Sequence, residues 1–581
     1  MNKLVKFLTV LVVSVLTISF HTFAQTVQDG LKNLDAERYN AAGTIFNQLI
    51  ASTPSAENYF YQGYYYLNLP EPQLTNAKDA FTKGLALDAK RPDAFCRIGL
   101  ATVKLLSGDK AGAAADFAQI KKDTKNKNAD VFYRIGEAYS LSETNNDPAE
   151  AAMNIQAGLD LQKAKNNPNY YIALANAYLL KNDGGPAMTA LENALAMGQN
   201  VAKIRTLMGR VWYQGKNYEK AKKELDEAIK ADPEYAPAYR ITSSLWQTYQ
   251  KYDLAAKFAD QYLQKSEPSV DAKLRYVKLA FTSKNYEGAL NTLNSIFDEI
   301  KDPIKYRLKG YILTERATDC DLAVELIQNW LKNAGKDSEG KDRILPMDYG
   351  YLGRAYACSK GDNKMLSDSL AIINMTAAIE KGDTTYNYTP DMVKIYTDQK
   401  RFDKVAGVYK TVVEKSKKPN TTDWFNLAGA LYRTKDYVGA DAAYAKLNEL
   451  TPNYEPAYLQ RGYCQQFSDP TRVDSAGKAE PFFLKYIDLM SKKGNDKFTA
   501  SEKKNMVYVY GYLALRNLNF LKDLTKASDY AKKMLELDPN DSRAQQILGA
   551  SSGTPTTVPP TTTPATNNSS GTGGNGNQPK N

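Results

Sequence analysis

Small and apolar residues recur along most of this chain at fixed offsets, and the offsets belong to helices. Between Trp424 and Pro452, Ala428 is followed by Ala440, Tyr444, Leu447 and Pro452. The same spacing returns at Gly209, Ala221, Leu225, Ala228 and Pro233, and again at Gly30, Ala42, Phe46, Leu49 and Pro54. An alanine, a large apolar residue four positions on and another three further on share one helical face. The small residue that precedes them marks where a second helix must come close. Polar turns separate the two: Gly215-Lys-Asn, Ser283-Lys-Asn and Thr434-Lys-Asp, each followed by tyrosine. Proline then ends the second helix, because it cannot continue the hydrogen-bond ladder. The pattern predicts helical hairpins.

The first-helix positions read Gly30, Gly63, Gly99, Gly136, Ala175, Gly209, Ser243, Val277, Gly310, Gly353, Val393, Ala428 and Gly462, spaced 33 to 43 residues apart. A last unit runs from about Gly511 to Pro539. A period near 34 maintained over about fourteen units resembles the tetratricopeptide repeat (TPR), from Gln25 to about Ala550. The resemblance implies an all-α, right-handed superhelical solenoid of hairpins with a concave groove lined by the first helices. It also implies a non-enzymatic scaffold, since long TPR arrays commonly organise multi-protein machines. The wider gaps place insertions in the connections, near residues 67–75, 142–148, 381–388, 467–479 and 491–501. Residues 335–345, rich in Gly, Lys and Asp, read as a loop or a hinge between an array at 25–334 and another at 346–550.

The two ends differ from this pattern. Lys3 and Lys6 precede an apolar run from Phe7 to Phe20 and a small residue at Ala24, which reads as a secretory signal peptide over 1–24. The run is shorter than the roughly 20 residues a membrane span needs, and no later stretch is apolar enough to span. The expected location is the periplasm, or the periplasmic face of the outer membrane, of a Gram-negative bacterium. Residues 551–581 are Thr-, Pro-, Ser-, Gly- and Asn-rich without apolar periodicity, the composition of a disordered tail.

Composition narrows the chemistry. The only histidine, His21, leaves with the signal peptide, which excludes imidazole catalysis and histidine metal sites from the remainder. No Cys spacing suits a metal and no loop cradles phosphate, so neither metal nor cofactor is expected. The net charge of +10, or +8 without Lys3 and Lys6, falls well short of a nucleic-acid signature. Cys320 and Cys358, near the turns of successive repeats, are candidates for a disulfide in an oxidising compartment. Most of the 40 tyrosines fit recurring hairpin packing slots, but the cluster from Tyr59 to Tyr66 exceeds that need. Some of its rings are expected to be exposed, with Tyr61, Tyr64 and Tyr65 as partner-binding candidates, joined by Tyr133. Arginines recur in the first helices at Arg97, Arg134, Arg210, Arg240, Arg354 and Arg433, and read either as a basic strip along the groove or as solvated charge. The expected partners are envelope proteins of a secretion, motility or energised-transport complex. Cell-wall or surface glycan is the alternative.

Overall fold

Each hairpin is organised by its turn. In the Gly215-Lys-Asn turn, Lys216 adopts a left-handed conformation (φ 58°) and turns the chain out of the first helix. Asn217 then caps the second helix, its side chain accepting a hydrogen bond from the Lys220 amide at 3.2 Å. Lys284 with Asn285, and Lys435 with Asp436, repeat the arrangement. The tyrosine that follows is a rung between neighbours. The Tyr218 ring lies 5.9 Å from Tyr213 in its own hairpin and 5.7 Å from Tyr249 in the next. Tyr437 repeats this against Tyr432 and Phe467. Prolines follow the second helices where expected: Pro233 after Ala231 and Pro452 after Leu450.

A computed structural model describes residues 25–552 except 92, 142–144, 162–166, 417 and 472. The signal-peptide assignment and all but the first two residues of the 551–581 tail lie outside the described residues. Within them the chain is an all-α, helix-hairpin solenoid of twenty-nine α-helices. It divides into two compact units, up to Arg316 and from Ala317 onward.

The first unit contains eight complete hairpins and a final helix. They are α1 (Val27–Asp35) with α2 (Tyr39–Ser52), α3 (Ala56–Leu67) with α4 (Leu74–Ala86), α5 (Ala94–Leu106) with α6 (Lys110–Asp123), and α7 (Ala129–Ser140) with α8 (Pro148–Leu161). There follow α9 (Pro168–Leu180) with α10 (Gly184–Leu195), α11 (Val201–Gln214) with α12 (Tyr218–Ala231), α13 (Ala236–Thr248) with α14 (Tyr252–Lys265), and α15 (Val270–Thr282) with α16 (Tyr286–Ile296). The helix α17 (Ile304–Arg316) ends the unit. The second unit begins with α18 (Cys320–Asn333), α19 (Pro346–Cys358), α20 (Lys364–Glu380), α21 (Thr389–Asp398) and α22 (Phe402–Lys415). It continues with α23 (Thr421–Arg433), α24 (Tyr437–Leu450), α25 (Glu455–Ser468), α26 (Glu480–Ser491), α27 (Ala500–Arg516), α28 (Leu524–Leu537) and α29 (Ser542–Ser551).

The offset of sixteen between the small residue and the large apolar one is a contact. A Cβ on Gly30 would fall 2.6 Å from the Phe46 ring, so only glycine lets α2 approach α1. Phe81 is held more tightly still. Its fully buried ring lies where a Cβ on either Gly63 of its own hairpin or Gly99 of the next would stand. Cores built in this way are continuous over several hairpins, as from Ile98 to Val211 in the first unit.

The units divide in the short connection between α17 and α18, ahead of residues 335–345. That segment lies inside the second unit as a closed turn. Lys336 and Asp342 form an antiparallel bridge, and the Asp337 carboxylate accepts from the Glu339 and Lys341 amides at 2.9 Å each.

Candidate functional site

The first helices α3, α5, α7, α9 and α11 line a cavity of about 390 Å³ in the first unit. Helices of a hairpin array present alternate faces, so residues at matching positions of successive first helices converge on one concave wall. Aromatic rings come from Phe60, Tyr64 and Tyr133. Polar and charged groups come from Arg134, Glu137, Asn176, Lys203 and Arg210.

Arg134 organises one end of this wall. Its guanidinium carbon lies 5.0 to 5.5 Å from the rings of Phe60, Tyr61, Tyr64 and Tyr133. It also donates to Glu137 at 2.6 Å and to the Tyr61 hydroxyl at 3.2 Å. Tyr133 donates to Glu137 at 2.6 Å and stacks on Tyr170, whose hydroxyl donates to Asp130 at 2.6 Å. Burial and the adjacent Glu137 carboxylate push the Tyr133 phenol well above its ordinary value, so it stays a neutral donor.

This changes the reading of the tyrosine cluster. No ring from Tyr59 to Tyr66 is fully exposed; each is half-buried or buried. Helix α3 is enclosed on three sides. Phe46 of α2 lies against Tyr61 and Tyr65, Phe81 and Phe95 lie against Phe60, and Arg134 covers the remaining face. Arg134 and Tyr133 are therefore packed residues of the wall, outside any exposed strip. Arg97 is paired with Asp123 at 2.8 Å. Arg210 is exposed at the cavity. In the second unit the Arg354 guanidinium lies over Tyr351 and Tyr386, and that of Arg433 over Phe402.

Arg240 has a partner that sequence reasoning missed. It donates to Glu37 at 2.8 Å, from the turn between α1 and α2, and Tyr262 donates to the other oxygen of the same carboxylate at 2.5 Å. Beside it Lys203 pairs with Asp35 at 2.7 Å. Arg38 donates to the Lys265 and Glu234 carbonyls at 2.9 and 3.0 Å. Glu267 accepts from the Asn40 and Ala41 amides at the start of α2. The first turn of the array is thus seated on its sixth and seventh hairpins and on the connection that leads to the eighth. One signal in the sequence points here. Glu37 (φ 59°) occupies the left-handed turn position that is lysine at 216, 284, 400 and 435.

The structure joins Cys320 at the start of α18 to Cys358 at the end of α19 by a disulfide, with 5.9 Å between the Cα atoms. Cys96 and Cys464 are free and buried, and burial pushes both thiols up. Among the described residues, no group of three or more His, Cys, Asp or Glu side chains is placed to hold a metal, and no helix is long and apolar enough to cross a membrane.

Residues 202–235, which span α11 and α12, match the family model described as Tetratricopeptide repeat. No curated protein gives a significant match. Among solved structures the chain is similar to the C-terminal part of a TPR repeat-containing protein from Cytophaga hutchinsonii, at 24% identity over 47% of this chain and 99% of that one, with a TM-score of 0.34. It is also similar to PilW, described as a widely conserved type IV pilus biogenesis factor, at 18% identity over 35% and 91%, with a TM-score of 0.29. The corresponding values for pilF of Pseudomonas aeruginosa are 18%, 38%, 95% and 0.27. The chain is a TPR-like all-helical solenoid, and its sixth hairpin meets the repeat's own model.

Proposed function

We propose that this protein is a non-enzymatic scaffold of the bacterial cell envelope, exported by its N-terminal segment, that holds partner proteins on its concave face. The observation that carries the reading is the cavity built from successive first helices, which combines aromatic rings with fixed polar groups on one wall. The apolar run before Ala24 supports export to the periplasm. A secretion, motility or energised-transport complex is the setting we favour, because an array of this length presents many successive faces to several proteins. Glycan recognition is the alternative, and it would rest on the partly exposed rings of the Tyr59–Tyr66 cluster.

The test is site-specific photocrosslinking in cells. A photoreactive residue replacing Asn176, at the cavity, should capture a defined set of envelope proteins. The same residue replacing Lys223, exposed on the second helix α12, should not. Identical products from both positions, or none from Asn176, would overturn the reading.

A further inference from the structure

The contact between the first turn and the distant hairpins is made of polar groups. The apolar core around Leu34, Ala42 and Phe46 draws its members from α1, α2 and α3 alone. The core around Ala236, Tyr239 and Tyr262 contains none of them. What holds the turn in place is a set of partly exposed ion pairs and hydrogen bonds, formed across 168 to 227 residues of chain. The Lys203–Asp35 pair is partly exposed and so is screened by salt, while the Glu37 carboxylate that takes Arg240 and Tyr262 is largely buried.

The charges are arranged unevenly. The turn brings two carboxylates, Asp35 and Glu37, separated by one residue, and each meets a cation of a first helix: Lys203 of α11 and Arg240 of α13. Arg210 lies between these in the chain, also on α11, at the cavity. Glu234 and Glu267 also face the turn. Glu234 pairs with Lys265 at 2.7 Å as well as with Arg38, and Glu267 accepts from backbone amides of α2 while its own amide donates to the Glu37 carbonyl. Removal of the turn therefore takes the carboxylate from Lys203, which lines the cavity, and from Arg240.

We infer that the Asp35–Glu37 turn is a built-in stand-in for an acidic segment of the partner. A peptide carrying two carboxylates one residue apart would displace it from Lys203, Arg240 and Tyr262 and so open the groove of the first unit. The inference rests on the concave face being the partner site, and it adds the partner's chemistry and the contact that holds the site closed. The Tyr262 hydroxyl fits the role. It donates to Glu37, and burial together with that carboxylate pushes its phenol up, so it remains a donor for any incoming carboxylate.

The probe is a fluorescent, end-capped pentapeptide Asn-Leu-Asp-Ala-Glu, which copies residues 33–37, with Asn-Leu-Asn-Ala-Gln as control. Binding to the full chain is read by anisotropy. D35N/E37Q should bind the acidic peptide at least about tenfold more tightly than the unaltered chain, the ratio expected where the turn covers about nine molecules in ten. It should ignore the control peptide, and adding K203Q/R240Q should abolish binding. Amide exchange provides the fold control: protection should fall at the start of α2 in D35N/E37Q and hold through α7 to α11. Equal affinity for the two chains, or binding that survives K203Q/R240Q, would overturn the inference. If that happens while Asn176 still captures partners in cells, the scaffold reading stands without it. Loss of capture at Asn176 removes the scaffold reading itself.

Discussion

The ring of Phe81 offers a measurable account of how neighbouring hairpins hold one another. It is fully buried, and its Cε1 lies 2.3 Å from where a Cβ on Gly63 would stand and 2.4 Å from one on Gly99. Gly99→Ala therefore drives a methyl into the ring. Overpacking costs about 1–3 kcal/mol, and the gain in helix propensity offsets about 0.8–1.0 kcal/mol of it. The net is destabilisation of about 0–2 kcal/mol. Phe81→Ala removes the ring and costs about 3–5 kcal/mol. In the double variant the methyl introduced by Gly99→Ala enters space the ring has left, so the two effects do not add. The coupling should be at least about 1 kcal/mol, within the usual range for residues in contact. A repeat array need not unfold in one step, so the measurement is local amide exchange on α3, α4 and α5 rather than a single melting temperature. Additivity to within about 0.5 kcal/mol would refute the idea that one ring is clamped from both sides.

Three further outcomes follow from the same geometry. Tyr170→Phe removes the hydroxyl that donates to Asp130 at 2.6 Å, and should reduce amide protection in α7 and α9 by about 1 kcal/mol while leaving the stacked ring in place. Reducing the Cys320–Cys358 bond opens a 38-residue loop, and should cost the second unit about 4 kcal/mol by chain entropy, read as a lower urea midpoint with reductant than without. The Lys526 amide bond to Asp523, the cap of α28, holds that carboxyl below its ordinary value. Its folded value is the lower one, so its contribution is complete above about pH 4 and is lost as the pH falls through the folded value. Protection of α28 should fall below that pH, and Asp523→Asn should flatten the profile.

The contacts that were legible in the sequence are those between near neighbours. Gly30 with Phe46 and Gly209 with Leu225 could be read because a helical hairpin turns a fixed offset into a fixed approach. The Lys-Asn-Tyr turns could be read because each residue type has one job there: left-handed backbone, cap, and aromatic rung. The seat of the first turn was not legible. It depends on small rotations added over seven hairpins, and no offset records their sum. The degree to which the Tyr59–Tyr66 rings are covered was not legible for a related reason. One helix cannot bury all of them, but neighbouring helices and the Arg134 side chain bury Phe60 and cover the tyrosines in part. Arg134 itself has the sequence position of a groove-facing cation, and only its four aromatic neighbours turn it into a packed residue.

The seat of the first turn also has a consequence in time. Hairpin arrays form mainly through contacts close in sequence, and so fold quickly and locally. Chains are made from the N-terminus, and domains fold as they emerge. Helix α2 follows Arg38, which gives it no side-chain cap, and the carboxylate that serves it belongs to Glu267. The first hairpin to appear must therefore wait, its leading amides open to solvent, until the eighth begins to follow. The earliest element of the array is completed only after seven hairpins have been made.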